Sequence, residues 1–408
     1  MRVAWIGPQP LEGGGVPQLA GVLLTALAEA DVSIDAFMAI GDEPLPERTL
    51  DHPNIEPVTA PVAWDGAPGM HGWPLGRFLS LQRARANTQS RLLTRLLERH
   101  ANRPYDVVYQ FSQFELLRLR RHMSALPPVV VHPETHAAGE LRWLIREARL
   151  AHRCGSHASW AAASVMLASR SILQCWDARS VAGIIAPSQV FAGYLGRDYH
   201  VTPERLHVVP NCIDLAQFTA VRKRTPTGPV KILFVSRMAV RKGVDMIVAL
   251  SNRIADLTGQ VEVEAVGGQS MWSDYRPLLR DLNPAVARYS APISPVELSQ
   301  RYSEADLLLQ PSLFEPFALT VAEALACGVP VVASDEVGAC EGVDSRCCTI
   351  FPAGDLDGFE AAVRAAVRRA RSPLATEVSS LARDEAERLF SPGPVAKRLR
   401  EVLEQATA

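Results

Sequence analysis

The sequence predicts an α/β protein built from two doubly wound domains, each with a mostly parallel sheet. Its 408 residues exceed what one hydrophobic core usually supports, so two domains of about 200 residues each are expected. Short apolar, β-branched runs alternate with longer helical patterns, which is typical of βα units. This alternation occurs twice, on either side of a basic stretch with Pro and Gly at residues 219–229, which favours an interdomain linker.

Each half of the chain contains its own series of strand candidates. The first series lies at residues 3–6, 32–40, 106–111, 128–132, 181–187 and 206–210. The second lies at residues 230–236, 261–267, 305–311, 329–334 and 348–352. We therefore predict an N-terminal Rossmann-like domain at 1–218, a second Rossmann-like domain at 219–390, and a helix at 391–408 that packs back toward the first.

Composition and charge exclude several classes of function. The formal net charge is only −2, so no polyanionic partner such as nucleic acid is expected. The seven cysteines form no CxxC pair and no zinc-like cluster with histidine, which argues against a structural metal and fits a reducing compartment. They are Cys154, Cys175, Cys212, Cys327, Cys340, Cys347 and Cys348.

Neither the amino terminus nor any later segment favours insertion into a membrane. The first residues lack a basic stretch followed by a long apolar run, so they indicate a strand and a turn rather than a signal peptide. The most apolar window, residues 159–176, is interrupted by Arg170 and favours a buried helix over a membrane span. A cytoplasmic protein is expected.

A glycine run follows the first predicted strand. Gly13, Gly14 and Gly15 precede a helical pattern, and backbone N–H groups at such a junction can approach an anion. The run does not match GxGxxG, so it does not predict a nicotinamide cofactor. An anion site and a plain flexible turn both remain open.

A cationic loop follows the first strand of the second series. Residues 235–245 place Arg237 and Lys242 five positions apart, where ligands of open α/β sheets bind. Lys242 is one of only four lysines in a chain that otherwise uses arginine. Two cations on this loop suit a diphosphate, and a solvated basic loop is the alternative.

Two carboxylates flank the start of a predicted helix. Glu315 lies in the loop after a strand, and Glu323 lies inside the helix that begins near residues 318–320. An anion at the helix N-terminus would lie between the two carboxylates. Glu323 would lie about 7 to 8 Å further along the helix axis. The alternative is that Glu315 complements the helix dipole and Glu323 faces solvent.

Residues 311–334 resemble the signature of the retaining glycosyltransferases of family four, which carry a Glu, seven intervening residues and a second Glu. Further matches occur in the correct order at residues 13–27, 129–136, 184–189, 208–218, 235–245 and 351–355. The resemblance implies the GT-B fold, in which two Rossmann-like domains face each other across a cleft. It also implies transfer of a hexose from a nucleotide diphosphate sugar, UDP-linked by family preference, to a hydroxyl with retention.

The resemblance assigns roles to the candidate residues. Glu315 would hold hydroxyls of the donor sugar, and Glu323 the ribose of the nucleotide. Arg237 and Lys242 would hold the diphosphate in place of a metal. The backbone of three residues would help to hold this diphosphate: Ala318, Leu319 and Thr320.

The first domain would contribute the remaining predicted site residues. Gly14 and Gly15 would approach the donor phosphates or the acceptor, and His132 matches the family's active-site histidine. The acceptor would bind to this domain. Because the leaving phosphate helps to remove the acceptor's proton, the family mechanism requires no dedicated base, no metal and no cofactor beyond the nucleotide sugar.

The chain also departs from the family pattern. Cys212 replaces a glycine in the turn after Asn211, so this turn either does not need a positive φ or is strained. Ala339 replaces a glycine of a Gly-Gly pair. Ala318 replaces the usual glycine before the helix. Residues 110 and 112 are Gln and Ser where many members have His. The acceptor class is therefore the property that the resemblance to the family predicts least well.

Two other hypotheses remain open at this stage. A lipid acceptor is suggested by a Trp-containing loop at residues 60–76 and a basic helix face at residues 77–100. A solvated face is favoured over membrane contact for that helix. A catalytically silent protein that binds a nucleotide sugar is suggested by the replacements at Cys212 and Ala339.

Overall fold

The structure is a computed structural model that describes residues 1–11, 15–41, 51–62, 75–150, 157–219, 227–270 and 274–407. Within these ranges, the side chains of residues 75–83, 85, 86, 117, 118, 158 and 159 are not described. The chain divides into two compact units. Unit 1 comprises Met1–Leu141, Val165–Cys212 and Pro392–Ala408, and unit 2 comprises Arg142–Ser164 and Ile213–Ser391.

Unit 1 is built around a parallel sheet. Its strands are β1 (Arg2–Gly7), β2 (Ser33–Ile40), β3 (Ile55–Pro61), β4 (Val107–Ser112), β5 (Val129–Pro133), β6 (Gly183–Ala186) and β7 (Leu206–Val208). In the described residues they form one sheet in the order β3-β2-β1-β4-β5-β6-β7. Register pairs Val3 with Val107, and Phe111 with His132. The carboxyl ends of β1, β4 and β5 therefore lie together at one edge.

The first half of the chain forms five helices in the described residues. They are α1 (Val16–Glu29), α2 (Leu75–Asn102), α3 (Ala137–Arg146), α4 (His157–Ser180) and α5 (Gln189–Tyr199). The last helix of the chain, α11 (Pro392–Gln405), also belongs to unit 1. It packs against α1, and its Arg400 donates from Nη1 to the carbonyl of Ala30 at 2.7 Å.

Unit 2 repeats the same architecture with a second parallel sheet. Its strands are β8 (Val230–Val235), β9 (Val261–Val266), β10 (Ala287–Ser290), β11 (Leu307–Gln310), β12 (Val331–Ser334) and β13 (Cys348–Phe351). The described strands run in the order β10-β9-β8-β11-β12-β13. The helices that follow them are α6 (Val244–Arg253), α7 (Pro295–Glu304), α8 (Leu319–Ala326), α9 (Leu356–Ala370) and α10 (Ala375–Phe390). Two apolar clusters, one on each side of this sheet, form its core.

Each predicted strand is present, and two strands were not predicted. Both missed strands, β3 and β10, lie at the ends of their sheets. β3 contains Pro57 and Pro61, which are tolerated at a sheet edge but not in a central strand. β10 has only four residues and includes Arg288, so it lacks an apolar run. Edge strands bury less surface, which is why their sequence signal is weak.

The division into units differs from the predicted domains in two places. It changes at Cys212 rather than at residue 218, and residues 142–164 belong to unit 2 although they lie within the first half of the sequence. Leu150 and Trp160 of this segment pack against the unit 2 core. Burial of this apolar surface, which local sequence patterns cannot reveal, draws the segment to unit 2.

Helix α4 contradicts the expectation of a buried helix at residues 159–176. Val165, Ile172 and Trp176 are 71%, 61% and 59% exposed. The inward side instead buries polar groups: Gln174 accepts from Tyr199 Oη at 2.5 Å, and Asp177 accepts from the backbone of Leu116 at 3.0 Å. The buried side of the helix therefore combines these polar groups with apolar residues such as Leu167. Among the described helices, none is long and apolar enough to cross a membrane.

The structure describes the predicted basic helix but not most of the loop that precedes it. Residues 63–74, including Trp64 and Trp73, lie outside the described residues. In α2, the guanidinium of Arg99 contacts Asp35 at 3.1 Å and Glu56 at 2.7 Å. Arg95 donates to the carbonyl of Thr59 at 2.7 Å. These two arginines therefore bind neighbouring groups of unit 1 rather than forming an unpaired basic face.

Candidate active site

The cationic loop of unit 2 lies between β8 and α6. It is attached to the sheet by Met238, whose N–H donates to the carbonyl of Gly268 at 2.7 Å. A short 3₁₀ turn at Val240–Lys242 leads into Gly243, which has φ 81°. A Cβ at position 243 would lie 2.2 Å from the carbonyl oxygen of Pro311. Glycine is therefore required here, because only it allows the loop to approach the end of β11 so closely.

Lys242 and Glu315, which the sequence places 73 residues apart, meet in an ion pair. Their side chains are 14% and 8% exposed. Burial lowers the pKa of Lys242 to about 8, while the nearby Glu315 opposes this shift. At neutral pH the ammonium keeps its charge and remains available to an anionic ligand.

Arg237 lies earlier on the same loop with an exposed side chain. Its positive charge makes a smaller contribution to the lowered pKa of Lys242, after burial and the neighbouring Arg241. The two predicted cations are thus close enough to interact electrostatically. The loop concentrates positive charge at the carboxyl edge of the sheet, where ligands of open α/β sheets bind.

Helix α8 begins directly after the Glu315 loop. Ala318 is its N-cap residue and adopts a left-handed conformation with φ 84° and ψ 82°. Leu319 and Thr320 form the first turn, whose N–H groups have no acceptor within the helix. The hydroxyl of Thr320 donates to Gln310 Oε1 at 3.1 Å, which attaches this turn to the end of β11. The predicted start of the helix is confirmed.

Glu323 is buried in the second turn of α8. It is 8% exposed, and Tyr302 of α7 donates its hydroxyl hydrogen to Oε2 at 3.0 Å. Burial raises the pKa of Glu323 to about 7, against the opposing hydrogen bond from Tyr302. The alternative that Glu323 faces solvent is therefore wrong. Tyr302 was not predicted as part of the site, because it lies on another helix and no sequence spacing connects it to Glu323.

The segment with the replaced Gly-Gly pair holds the Glu315 loop in place. Gly338 donates from its backbone to the carbonyl of Glu315 at 3.2 Å, and Ala339 donates to that of Phe317 at 2.8 Å. Ala339 is only 1% exposed. The alanine side chain is accommodated in the core, and the backbone contacts that position Glu315 remain.

His132 lies at the carboxyl end of β5 in unit 1. It is 1% exposed, and its Nδ1 forms a 2.7 Å hydrogen bond with the hydroxyl group of Tyr109. Burial lowers the pKa of His132 to about 3, so the imidazole is neutral. Nε2 has no hydrogen-bond partner among the described residues and lies 3.8 Å from Oε1 of Glu134. It is thus a buried ring nitrogen without a partner among the described residues.

The remaining predicted positions lie in unit 1. Gly15 is the N-cap of α1 with φ 67°, a conformation that favours glycine, whereas Gly14 is outside the described residues. Cys212 is buried and is not among the described residues with positive φ, so this turn does not need one. Asn211 donates from Nδ2 to Glu134 at 2.7 Å. Asn211 thus binds the Glu134 carboxylate, whose other oxygen lies 3.8 Å from His132 Nε2, beyond hydrogen-bond distance.

The part of the chain that the structure describes contains no group of three or more His, Cys, Asp and Glu side chains placed to hold a metal ion. The candidate site of unit 2 instead combines Lys242, Arg237, a helix N-terminus and two carboxylates. Such a set can bind a doubly charged phosphate group together with neutral hydroxyls.

Comparisons of sequence agree with this chemistry. Residues 13–217 match the model for Glycosyltransferase Family 4, and residues 229–369 match that for Glycosyl transferases group 1. A glycogen synthase of Mycobacterium tuberculosis is 27% identical over 391 residues, which cover 91% of this chain and 88% of that protein. A D-inositol 3-phosphate glycosyltransferase of Actinosynnema mirum is 31% identical over 231 residues, covering 50% and 55% of the two chains.

Solved structures share the fold over the whole chain. A sucrose-phosphate synthase from Thermosynechococcus elongatus has a TM-score of 0.71 at 18% identity, with 99% of this chain and 98% of that chain covered. Anabaena HepE in complex with UDP-glucose has a TM-score of 0.64 at 16% identity, with 99% and 100% covered. The predicted GT-B class of fold is confirmed by these neighbours. The chain belongs to the glycosyltransferases of family 4 and acts as a glycosyltransferase that uses sugar-nucleotide donors.

Proposed function

We propose that this glycosyltransferase moves a hexosyl group from a UDP-sugar to a hydroxyl of a small-molecule acceptor, with retention of the anomeric configuration. The observation that carries the proposal is the ion pair between Lys242 and Glu315 beside the start of α8, with Glu323 buried further along the same helix. It provides separate groups for a diphosphate, a sugar and a ribose within one edge of unit 2.

The diphosphate binds to positive charge on the loop and at the helix N-terminus. Lys242 and Arg237 supply the two cations, and the backbone N–H groups of Leu319 and Thr320 supply unpaired donors. These groups stabilise the negative charge that develops on the leaving phosphate as the glycosidic C–O bond breaks. In this proposal they carry the role for which other enzymes use a metal ion.

The two carboxylates bind neutral hydroxyl groups on either side of the diphosphate. Once the diphosphate shares the charge of Lys242, Glu315 accepts hydrogen bonds from the donor sugar. Glu323 accepts hydrogen bonds from the ribose, and Tyr302 holds its carboxylate in position. Hydrogen bonds from hydroxyls favour the charged form of Glu323, so donor binding lowers its raised pKa.

His132 of unit 1 contributes a neutral imidazole. Its Nδ1 is occupied by Tyr109, so Nε2 is the atom that binds a sugar hydroxyl. In the transfer step the bond between C1 and the phosphate oxygen breaks, and a bond from the acceptor oxygen to C1 forms on the same face. The acceptor's proton moves to the leaving phosphate oxygen, so no side-chain base is consumed.

The relatives support the donor class more strongly than the acceptor. HepE is described in complex with UDP-glucose, which supports UDP as the nucleotide. The sequence relatives include glycogen synthases, inositol phosphate glycosyltransferases and a mannosyltransferase, so their names span different acceptors and sugars. A cytoplasmic location is proposed because the described cysteines are free thiols.

A donor screen tests the proposal. Purified protein is incubated with UDP-, GDP-, ADP- and dTDP-sugars and a panel of hydroxyl acceptors, and products are examined by NMR for anomeric configuration. Thermal shift with each free nucleotide runs in parallel, because a ligand at 100 times its Kd stabilises the fold by about 2.7 kcal/mol. We expect stabilisation by UDP and a product with the donor's configuration.

The Glu315→Gln variant separates transfer from binding. It keeps the shape of the side chain and should abolish transfer while UDP still binds. Inversion of configuration would contradict the proposed mechanism. Stabilisation by UDP with no transfer or hydrolysis across the whole panel would instead support the silent sugar-nucleotide-binding protein.

A further inference from the structure

Glu147 is a buried carboxylate that the proposed mechanism does not use. It follows α3 in the segment that belongs to unit 2, and it is 6% exposed. Its Oε1 accepts a hydrogen bond from the backbone N–H of Arg241 at 2.7 Å. Its Oε2 accepts one from the hydroxyl of Tyr275 at 2.6 Å. Both carboxylate oxygens are therefore occupied by donors from unit 2.

The backbone of Arg241 is held on its other side as well. Its carbonyl accepts from the N–H of Leu313 at 2.8 Å and of Phe314 at 3.4 Å. Arg241 directly precedes Lys242, and Phe314 directly precedes Glu315. The Glu147 contact thus holds a residue whose backbone connects the cationic loop to the loop that carries Glu315.

The segment that contains Glu147 is firmly attached to unit 2. Leu150 and Trp160 pack against the unit 2 core, and Trp160 Nε1 donates to the carbonyl of Leu144 at 2.9 Å. Glu147 is therefore presented by a packed element. A rigid presentation is what a side chain needs in order to fix the position of a neighbouring backbone.

A carboxylate is an unfavourable choice for this position if stability alone matters. Burial raises the pKa of Glu147, which shows that its charged form is disfavoured there, and the carboxylate of Asp245 on α6 adds a smaller contribution of the same sign. Hydrogen bonds from Tyr275 and the Arg241 backbone oppose both effects. An apolar side chain would avoid the desolvation but could not bind the Arg241 N–H.

We propose that Glu147 is a positioning residue for donor binding: by holding the Arg241 backbone, it sets where Lys242 meets the diphosphate. The inference rests on the proposed function of the site. Glu147 itself does not touch the donor. Tyr275 takes part by orienting the Glu147 carboxylate.

The experiment measures the Kd of UDP by calorimetry for three variants and the wild type. Glu147→Ala removes the acceptor, Glu147→Gln retains one oxygen that can accept from Arg241, and Tyr275→Phe removes the orienting hydroxyl. We expect Kd to rise about ten-fold for Glu147→Ala and by less for the other two, since a hydrogen bond to a charged group is lost and others are weakened. A Kd for UDP that is closer to the wild-type value in Glu147→Gln than in Glu147→Ala is the result that indicates positioning.

Glu264→Gln provides a matched control. Glu264 is also a buried carboxylate of unit 2, but it binds Arg288 at 3.0 Å and Ser290 at 2.6 Å on the neighbouring strand. The Glu264→Gln variant should have a lower Tm than the wild type, while its Kd for UDP stays unchanged. If Glu147→Gln and Tyr275→Phe likewise lower only Tm and leave Kd unchanged, Glu147 is a purely structural residue and the inference is overturned.

The same data distinguish failure of this inference from failure of the proposed function. If wild-type protein binds UDP and all three variants bind it equally, Glu147 does not position the site. If the wild type binds no UDP but binds another nucleotide of the panel, the Kd series is measured with that nucleotide. Absence of any nucleotide binding by folded wild type would overturn both. Where Glu147→Ala does not fold, the other two variants decide.

Discussion

Two strand ends, one in each unit, lie at the same position in a parallel sheet but differ in charge: one is neutral and the other is positive. In unit 1, β5 ends beside His132, whose neutral imidazole lies against Tyr109 and Phe111, the latter at 5.4 Å between ring centroids. In unit 2, β8 leads into a loop with Arg237 and Lys242. Both sites lie where parallel strands end, yet only one concentrates charge.

Burial and hydrogen bonding explain this difference. His132 is enclosed by aromatic rings and loses its proton far below neutral pH. Lys242 is also largely buried, but Glu315 offsets part of the cost and keeps its pKa near 8. Topology thus supplies the location of a site, whereas the charge of its neighbours decides whether it binds an anion or a neutral hydroxyl.

Removing the cation of unit 2 should give the largest effect. Lys242→Met deletes the charge that faces the leaving diphosphate, so kcat/KM for the sugar donor should fall by about 10²- to 10³-fold. The measurement is initial-rate kinetics with the donor identified in the screen. Lys231→Met is the control, because Lys231 is 51% exposed and pairs with Glu304 at 3.2 Å. A loss of less than about three-fold for Lys242→Met would show that the cation is dispensable.

A change of pH should affect ligand binding through Lys242 but not through His132. Because the pKa of Lys242 is about 8, its charge is lost as pH rises above 8. UDP affinity should then weaken by up to about ten-fold per pH unit. Lys242→Arg should remove this decline, since arginine stays charged. His132, with a pKa of about 3, should contribute no step between pH 5.5 and 7.5.

Calorimetric Kd values across pH 5.5 to 9.5 check this prediction, measured with UDP for Lys242 and with the intact UDP-sugar for His132, because His132 is proposed to bind a sugar hydroxyl. The ratio of Kd between wild type and His132→Gln should stay constant over the acidic half of the range. A ratio that changes near pH 6.5 would mean that the imidazole titrates normally, and the contrast between the two sites would then be lost.

The smallest expected effects concern two residues with a left-handed backbone, one in each unit. Ser112 ends β4 of unit 1 with φ 72°, and Ala318 precedes α8 of unit 2 with φ 84°. Glycine adopts these angles without steric cost, so Ser112→Gly and Ala318→Gly should each stabilise the fold by about 1 kcal/mol after the entropic cost of glycine. Denaturant unfolding measures the change, and Ala324→Gly within α8 should destabilise instead.

Much of the fold could be predicted because it depends on local pattern. The apolar, β-branched runs identified the central strands, since a parallel strand is buried on both faces. The edge strand β3 was missed because Pro57 and Pro61 interrupt its apolar pattern. The exposed face of α4 was missed because Gln174 and Asp177 bind polar partners inward, and such partners are invisible in a helical pattern.

The candidate site could also be predicted in part from local sequence. Cation spacing, two carboxylates and a helix start indicated Lys242, Glu315 and Glu323 as a group. The structure places Lys242 against Glu315 and buries Glu323. It also adds Tyr302, which no spacing rule connects to Glu323, because the two residues lie on different helices.

Local sequence alone specifies the two series of βα units, the loop that carries the cations and the helix that carries Glu323. These follow from side-chain periodicity and from local backbone preferences, which act between near neighbours. Which distant groups meet depends on the packed fold: Lys242 pairs with Glu315 across 73 residues, and Glu147 binds Arg241 across 94. Such pairs depend on how packed elements are brought together, because burial, unlike periodicity, is a property of the whole unit.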